Sequence, residues 1–202
     1  MFPLPRHEVD NTYRLFSEKG QKKLGLLRRQ SRILLNKQKI DIYKTIIIFE
    51  YGSALFDNCS ISDSLKLESC QRTAALICTG TMKRTESKLL MRALGWESLS
   101  DRRKTSKLTL FFKIVRNATP LYLFRCLPPN DPQAYNLRGG NISIKPIKCR
   151  LVAHKKSFFP DCISIWNKLP NSAINAANIV SFKKEINQHL KIENRVENFT
   201  PF

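Results

Sequence analysis

The sequence lacks long apolar runs. In its 202 residues the longest, such as residues 46–49 and 74–78, cover only four or five positions. A membrane-spanning helix needs about 20 predominantly apolar residues, and the core of a signal peptide needs about 7 to 15. Membrane insertion and export are both disfavoured, so we expect an intracellular protein of the nucleus or cytoplasm that has no membrane partner.

Cysteine pairs and metal-ligand spacing are also missing. The six cysteines include no C-x-x-C pair, and a chain of this length does not need disulfides to close its core. The three histidines are scattered, and only Cys149 and His154 lie near each other. One such pair cannot complete the four ligands of a structural zinc site. We therefore expect reduced thiols, no metal and no other cofactor.

Catalytic motifs are absent as well. Phosphoryl transfer by two metal ions needs closely spaced carboxylates, and the sequence contains no Asp-Asp or Asp-x-Asp pair. Gly20 and Gly25 have the glycine spacing of a phosphate-binding loop, but Leu26 stands where that loop needs lysine. Nothing in the pattern brings a serine and a histidine together as nucleophile and base. We expect no catalytic residue in this chain.

Acidic residues are scarce, whereas basic residues are abundant and clustered. Sixteen Asp and Glu stand against 35 Lys and Arg, for a net charge of +19. Residues 19–44, 83–116 and 138–156 carry +8, +7 and +6, so the rest of the chain carries −2. Clusters of this kind are typical of surfaces that bind phosphates. The alternative is that they are solvated helix faces of a merely basic protein.

Hydrophobic periodicity predicts a mainly α fold whose N-terminal half is a helical bundle. In residues 21–35, leucines share one arc of a helix and cations share another. Residues 1–20 contain Pro3 and Pro5 and show no periodicity, which predicts a poorly ordered lead-in. The bundle is predicted over residues 21–127, with helices also starting near Asn36, Ser62, Thr85 and Ser98.

The C-terminal part of the sequence shows a different pattern. Prolines at 120, 128, 129 and 132 predict a boundary near residue 127. Beyond it, Ile142, Ile144, Ile147 and Leu151 alternate with basic residues, which predicts one or two short strands. Two helices are predicted over residues 161–168 and 179–191. Residues 128–202 are thus expected to form a smaller α+β segment.

A series of short sequence motifs occurs in the order known from one family. They include Leu24-Gly25-Leu26-Leu27-Arg28-Arg29, Ile42-Tyr43-Lys44-Thr45-Ile46-Ile47, Glu50-Tyr51-Gly52-Ser53, Cys70-Gln71-Arg72-Thr73-Ala74-Ala75, Leu94-Gly95-Trp96-Glu97-Ser98-Leu99, Pro120-Leu121-Tyr122-Leu123, Ser157-Phe158-Phe159-Pro160, Trp166-Asn167-Lys168-Leu169-Pro170 and Ser181-Phe182-Lys183-Lys184. In this order they resemble the segment that follows the polymerase core in reverse transcriptases of jockey-like non-LTR retrotransposons. The resemblance covers roughly residues 24–190.

The resemblance implies the thumb and C-terminal region of an RNA-directed DNA polymerase, which grips the RNA template and the growing DNA. The family's endonuclease and its palm, with the paired aspartates, would lie upstream of this chain. We therefore expect a non-catalytic C-terminal fragment of a transposable-element reverse transcriptase, with residues 21–127 as a thumb-like domain. Its expected partners are RNA and DNA, bound through the backbone without sequence specificity.

Ten residues are predicted to bind nucleic acid. They belong to the cationic arc of the first helix, to the flank of the third helix and to the first turns of the fifth, where cations surround the helix axis. For the third-helix pair a structural role is equally open, because its neighbours form a buried stripe. The ten are Lys22, Arg28, Arg29, Arg32, Gln71, Arg72, Arg102, Arg103, Lys104 and Lys107.

Six further motif residues are predicted to be structural, namely Gly95, Trp96, Trp166, Asn167, Leu169 and Pro170. The two tryptophans are expected to anchor packing rather than to stack on bases, because each lies in or beside an apolar pattern. A competing interpretation of the whole chain is a basic protein-interaction or structural module that contacts an acidic partner. The salt dependence of binding separates this alternative from phosphate binding.

Overall fold

The structure is a computed structural model that describes residues 6–46, 53, 60–128 and 143–197. The predicted mainly helical class is confirmed, and no strand occurs within these ranges. The helices are α1 (Arg6–Gln30), α2 (Asn36–Ile46), α3 (Ile61–Thr79), α4 (Ser87–Leu94), α5 (Leu99–Val115), α6 (Leu121–Phe124), α7 (Val152–Lys155), α8 (Phe158–Trp166), α9 (Asn171–Ile174) and α10 (Ile179–Glu197).

The chain divides into two compact units, and the division falls inside α5, between Arg103 and Lys104. The N-terminal unit contains α1 to α4 and the first turn of α5. The C-terminal unit contains the rest of α5 and the helices that follow. The prolines after α5 predicted a boundary near residue 127, whereas the division lies earlier because most of α5 packs into the C-terminal core.

In the N-terminal unit, α1, α2 and α3 share one core. Leu24 and Leu27 of α1 pack with Tyr43 of α2 and with Ala74 and Cys78 of α3. The small side chains of α3 let the neighbouring helices approach closely, because close packing in a core is set by side-chain volume. This core fixes which face of α1 is left for solvent.

Both ends of α3 are capped within the described chain. The hydroxyl of Ser60 accepts a hydrogen bond from the Asp63 amide at 3.1 Å, so the cap lies at Ser60 rather than at the predicted Ser62. At the other end, Gly80 adopts a left-handed conformation with φ of 70° and donates to the Leu76 carbonyl. Glycine reaches this conformation without the steric cost that other residues have.

The C-terminal unit is organised around aromatic rings. Phe112 of α5 stacks on Phe182 of α10 at 4.2 Å between ring centroids, and Phe111 meets Trp166 of α8 edge-on at 5.4 Å. Trp166 is 1% exposed, and Ile186 of α10 is also buried in this cluster. Aromatic pairs in these geometries stabilise a core by about 0.5–1.5 kcal/mol each beyond the area that they bury.

The predicted short strands are wrong for the described residues. Residues 143–149 have no regular secondary structure. Ile142 and residues 47–52 of the motif series lie outside the described residues. Pro146 has no backbone N–H to donate, which disfavours a strand there. The backbone of Ile144 is instead paired with a side chain, as described below. The apolar alternation that predicted strands ends at Leu151, which is 71% exposed.

Helix α1 begins within the predicted lead-in. It starts at Arg6, and no proline or glycine interrupts residues 6–19, so nothing in that stretch breaks helical hydrogen bonding. The helix ends at Gln30, and residues 31–34 form a turn that leads into α2 at Asn36. Arg32, predicted on the helix, therefore lies in this turn.

Candidate nucleic-acid interface

One face of α1 and the turn after it carries four exposed cations, Lys22, Arg28, Arg29 and Arg32. We call this set the α1 cationic face. Leu24 and Leu27, which are 4% and 2% exposed, fix α1 in the core, and Arg28, one turn after Leu24, lies at the edge of the cationic face. In the part of the chain that the structure describes, none of the four cations forms an ion pair. Their charges therefore remain available to an external anion.

The first turns of α5 do not form a second surface of this kind. The prediction that this end leaves the core is wrong for Arg103 and Lys107, which are 4% and 1% exposed. Arg103 donates to the hydroxyl of Ser64 at 2.8 Å, and Lys107 forms an ion pair with Asp161 at 2.5 Å. Arg102 and Lys104, the other two predicted residues, are partly buried.

The burial of these two cations follows from their register. Leu99, Arg103, Lys107 and Phe111 succeed one another at intervals of four residues, so they lie on one helix face. Because Leu99 and Phe111 are buried, the cations between them are carried inward as well. The four-residue spacing was visible in the sequence, whereas the partners Ser64 and Asp161 were not.

The predicted pair on α3 is also used within the fold. Gln71 is fully buried, and its side-chain amide donates to the Glu97 carbonyl at 2.9 Å. Arg72 is partly buried and donates to the carbonyls of Lys83 and Thr85 at 2.8 and 3.0 Å. These bonds tie the segments around α4 to α3. Gln71 thus has no exposed surface for a phosphate, so its role is structural, which the sequence analysis had left open.

The six motif residues occupy packing and capping positions. Gly95 ends α4 in a left-handed conformation with φ of 63°, and Trp96 then stacks on Tyr43 at 4.4 Å between ring centroids. Asn167 donates to the Ile144 carbonyl at 2.8 Å and accepts from the Ile144 amide at 3.0 Å. The remaining members are the buried Trp166 and Leu169, and Pro170, which precedes α9.

A groove between α1 and α3 was missed by the sequence analysis. It has a volume of about 240 Å³, and a Cβ atom placed on Gly25 would meet no other atom within 4 Å. On the α3 side it is lined by Ser69 and Thr73, which lie one turn apart. Arg28 of the α1 cationic face lines it as well. A glycine within a helix was the available sequence signal, since glycine disfavours helix interiors.

Burial raises the pKa of Tyr43 and of Cys78, which both belong to the N-terminal core. It raises the pKa of Tyr43 to about 12, although the charge of Arg102 acts in the opposite direction. It also raises the pKa of the Cys78 thiol to about 11, against the effect of Lys39. A thiol that stays protonated is a poor nucleophile and a poor metal ligand. Cys78 is therefore a packing residue.

Comparison of the chain with profiles of protein families, with curated proteins and with solved structures finds no match. Among the described residues, no helix combines the length and the apolar character needed to cross a membrane. The same residues contain no group of three or more His, Cys, Asp or Glu placed to hold a metal ion. The family resemblance stays a prediction, and function must be inferred from the residues themselves.

Proposed function

We propose that this chain binds RNA and DNA through phosphate contacts made by the α1 cationic face. The observation that carries the proposal is the arrangement of α1, in which buried leucines hold the helix in the core while its cations are exposed and have no acidic partner among the described residues. Each cation that neutralises a phosphate releases condensed counterions, and this release drives binding. Contacts of this type carry no sequence information, so binding is general.

The C-terminal unit also carries exposed basic residues. Lys148, Arg150, Lys155 and Lys156 are exposed in the C-terminal unit. With a net charge of +19, the chain attracts polyanions over distances set by the ionic strength. The α1 cationic face is the place where the chain contacts the phosphates directly.

The wider proposal is that the chain is the non-catalytic, thumb-like C-terminal part of a jockey-like non-LTR retrotransposon reverse transcriptase. The series of short sequence motifs between residues 24 and 190, in the order known from that family, supports it. So does the use of Gly95, Trp96 and Trp166 as caps and packing residues, because such positions restrict which residue types a fold can accept. If the proposal holds, the genomic sequence upstream of codon 1 encodes a polymerase palm with paired aspartates.

The proposal of phosphate binding is tested by the salt dependence of affinity. The variant carrying Lys22→Ala, Arg28→Ala and Arg29→Ala removes three cations of the face from α1. On a single strand each lost phosphate contact lowers the slope of log affinity against log salt by about 0.7, so the triple variant should lose about 2. Fluorescence anisotropy with a labelled strand at several salt concentrations measures the slope.

The matched control removes three exposed lysines from the other unit, by Lys168→Ala, Lys183→Ala and Lys184→Ala. Both variants lose the same charge, so a general field effect would change both slopes equally. The proposal requires that only the α1 variant lose most of its slope. Equal slopes for the two variants would contradict a specific role for the α1 cationic face.

The binding of an acidic protein is a second candidate function, and α6 favours it. Three of its four side chains are large and apolar yet exposed, namely Leu121 at 51%, Tyr122 at 64% and Phe124 at 40%. Exposed apolar side chains that lie together are typical of protein-binding surfaces. For such a partner, Tyr122→Ala should weaken binding, whereas it should leave the affinity for a nucleic-acid strand unchanged.

A further inference from the structure

The groove between α1 and α3 has an apolar floor and polar rims. Leu24 and Cys70, which are 4% and 3% exposed, form part of its floor. Gln21 and Arg28 stand on the α1 rim, one on each side of Gly25 in the sequence, and Ser69 stands on the α3 rim. The missing side chain at Gly25 leaves the space between the rims open. A ligand here would meet an apolar surface and hydrogen-bonding groups at once.

The rim groups are available for such a ligand. Neither the Gln21 amide nor the Arg28 guanidinium makes a hydrogen bond or ion pair within the described chain, and the Ser69 hydroxyl makes none either. The residues that line the groove include no acid. The groove therefore suits a group that has both an apolar surface and hydrogen-bonding atoms. Because Arg28 is the charged residue of the lining and no acid is present, this group can be attached to an anion.

The size of the groove limits what can enter. Its volume of about 240 Å³ is below the roughly 300–1,000 Å³ of pockets that take drug-sized ligands. A single planar ring system with polar edges fits both the volume and the mixed lining. A phosphate alone would leave the apolar floor without a partner, and a charged group on an apolar surface is unfavourable.

We infer that this groove receives one unstacked nucleobase of a single-stranded RNA or DNA whose phosphates lie along the α1 cationic face. The inference rests on the proposed function. Arg28 belongs to both surfaces, and a guanidinium plane can stack on a base or donate to its edge. Gln21 and Ser69 supply an amide and a hydroxyl for the base edge. The chain thereby prefers single strands to duplexes, whose bases are stacked and unable to enter.

The test compares a mixed-sequence DNA strand with an abasic strand that has the same number of phosphates. The full chain should bind the strand with bases about fivefold to tenfold more tightly, near the lower end of what one base contact contributes. Gly25→Leu fills the groove from α1, and leucine is a better helix former than glycine. In this variant the two affinities should become equal, while the salt slope stays unchanged because the phosphate contacts remain.

Gln30→Leu serves as the matched control, since it adds the same side chain to α1 outside the groove, at an exposed position. It should keep the preference for bases. Ser69→Leu, which fills the groove from α3, replaces Gly25→Leu if circular dichroism shows that the latter is unfolded. An unchanged preference in the filled variant, or equal binding of both strands by the natural chain, overturns the inference. Absence of any salt slope would instead overturn the proposed function.

Discussion

Lys107 is a cation whose charge is used inside the fold. Only 1% of its surface is exposed, and its ammonium group contacts the Asp161 carboxylate, whose side chain is 31% exposed. Taking a charge out of water costs several kcal/mol unless the partner compensates for it. The two partners are unequal, because Asp161 can still reach water whereas Lys107 cannot.

This inequality predicts different effects for the two ends of the pair. Asp161→Asn leaves a buried ammonium without its carboxylate and should lower the free energy of unfolding by about 2 kcal/mol. Lys107→Met keeps most of the volume and lets Asp161 hydrate, so the loss should stay below about 1 kcal/mol. Urea denaturation of both variants measures the difference. A larger loss for Lys107→Met would contradict this account.

Tyr43 makes the stability of the N-terminal unit depend on alkaline pH. Burial raises its pKa from 10 to about 12, so the folded state favours the neutral phenol. The resulting stabilisation is complete below pH 10 and is lost as the pH rises through 12. Between pH 10 and 11 the natural chain should lose about 1 kcal/mol more than Tyr43→Phe, which keeps the ring stack on Trp96.

Urea denaturation at the two pH values, followed by tryptophan fluorescence, gives this difference directly. Cys78 adds a loss of its own, because burial raises its pKa from 9 to about 11. It is present in both chains and cancels in the comparison. Identical pH dependence in the two chains would mean that Tyr43 ionises normally and that its burial has no energetic effect.

At the residue scale, periodicity predicts the buried apolar side chains only as far as the helix continues, and it does not predict the buried polar ones. Leu35, expected on the same apolar arc as Leu24, is 71% exposed because α1 ends at Gln30. Leu24 and Leu27 were expected in the core and lie there. Arg103 and Lys107 were expected at the surface, because a sequence shows a charge but not the hydroxyl or carboxylate that lies 39 or 54 residues away. The α1 part of the candidate site could thus be predicted, whereas the α5 part could not.

At the element scale, the side chain of Asn167 makes the hydrogen bonds that a neighbouring strand would make. Its side-chain amide bonds both the N–H and the carbonyl of Ile144, which are the two groups that a neighbouring strand would pair. The segment around Ile144 is thereby attached to the end of α8 without a sheet. The side chain of Ile144 is 4% exposed and belongs to the core of the C-terminal unit.

This arrangement predicts a local effect of Asn167→Ala. Two backbone groups of Ile144 lose their partners, so the free energy of unfolding should fall by about 2 kcal/mol. The Ile144 amide should also exchange its hydrogen faster, which NMR can measure at that residue. Asn175→Ala, at an exposed position after α9, is the control and should change stability by about 0.5 kcal/mol or less. Unaltered exchange at Ile144 would argue against the pairing.

Helices were predictable in this chain because their signals are local. The apolar stripe of α5 and the glycine after α3 each lie within a few residues of the structure that they specify. A strand also needs a partner, and alternation around Ile144 says nothing about whether one exists. Nor does the alternation show that the backbone of Ile144 pairs with the side chain of Asn167.

At the scale of the whole molecule, positive charge is abundant but carboxylates are few. The sequence has 16 acidic residues and no Asp-Asp or Asp-x-Asp pair. A site that binds two catalytic metal ions needs such carboxylates. We expect pure protein to incorporate no labelled nucleotide on a primed RNA template with Mg²⁺ or Mn²⁺. Incorporation that survives rigorous purification would show that the chain has a catalytic site of another kind.

The continuity of α5 determines how the gene can be divided. Exchange of modules between proteins usually uses exposed linkers that few contacts cross. Here the border between the two units, at Arg103 and Lys104, is a helix interior. A recombination point or a stop codon there would remove the backbone hydrogen bonds that join successive turns and would leave two frayed ends. We therefore expect a gene cut at this point to give two products that each lack part of α5.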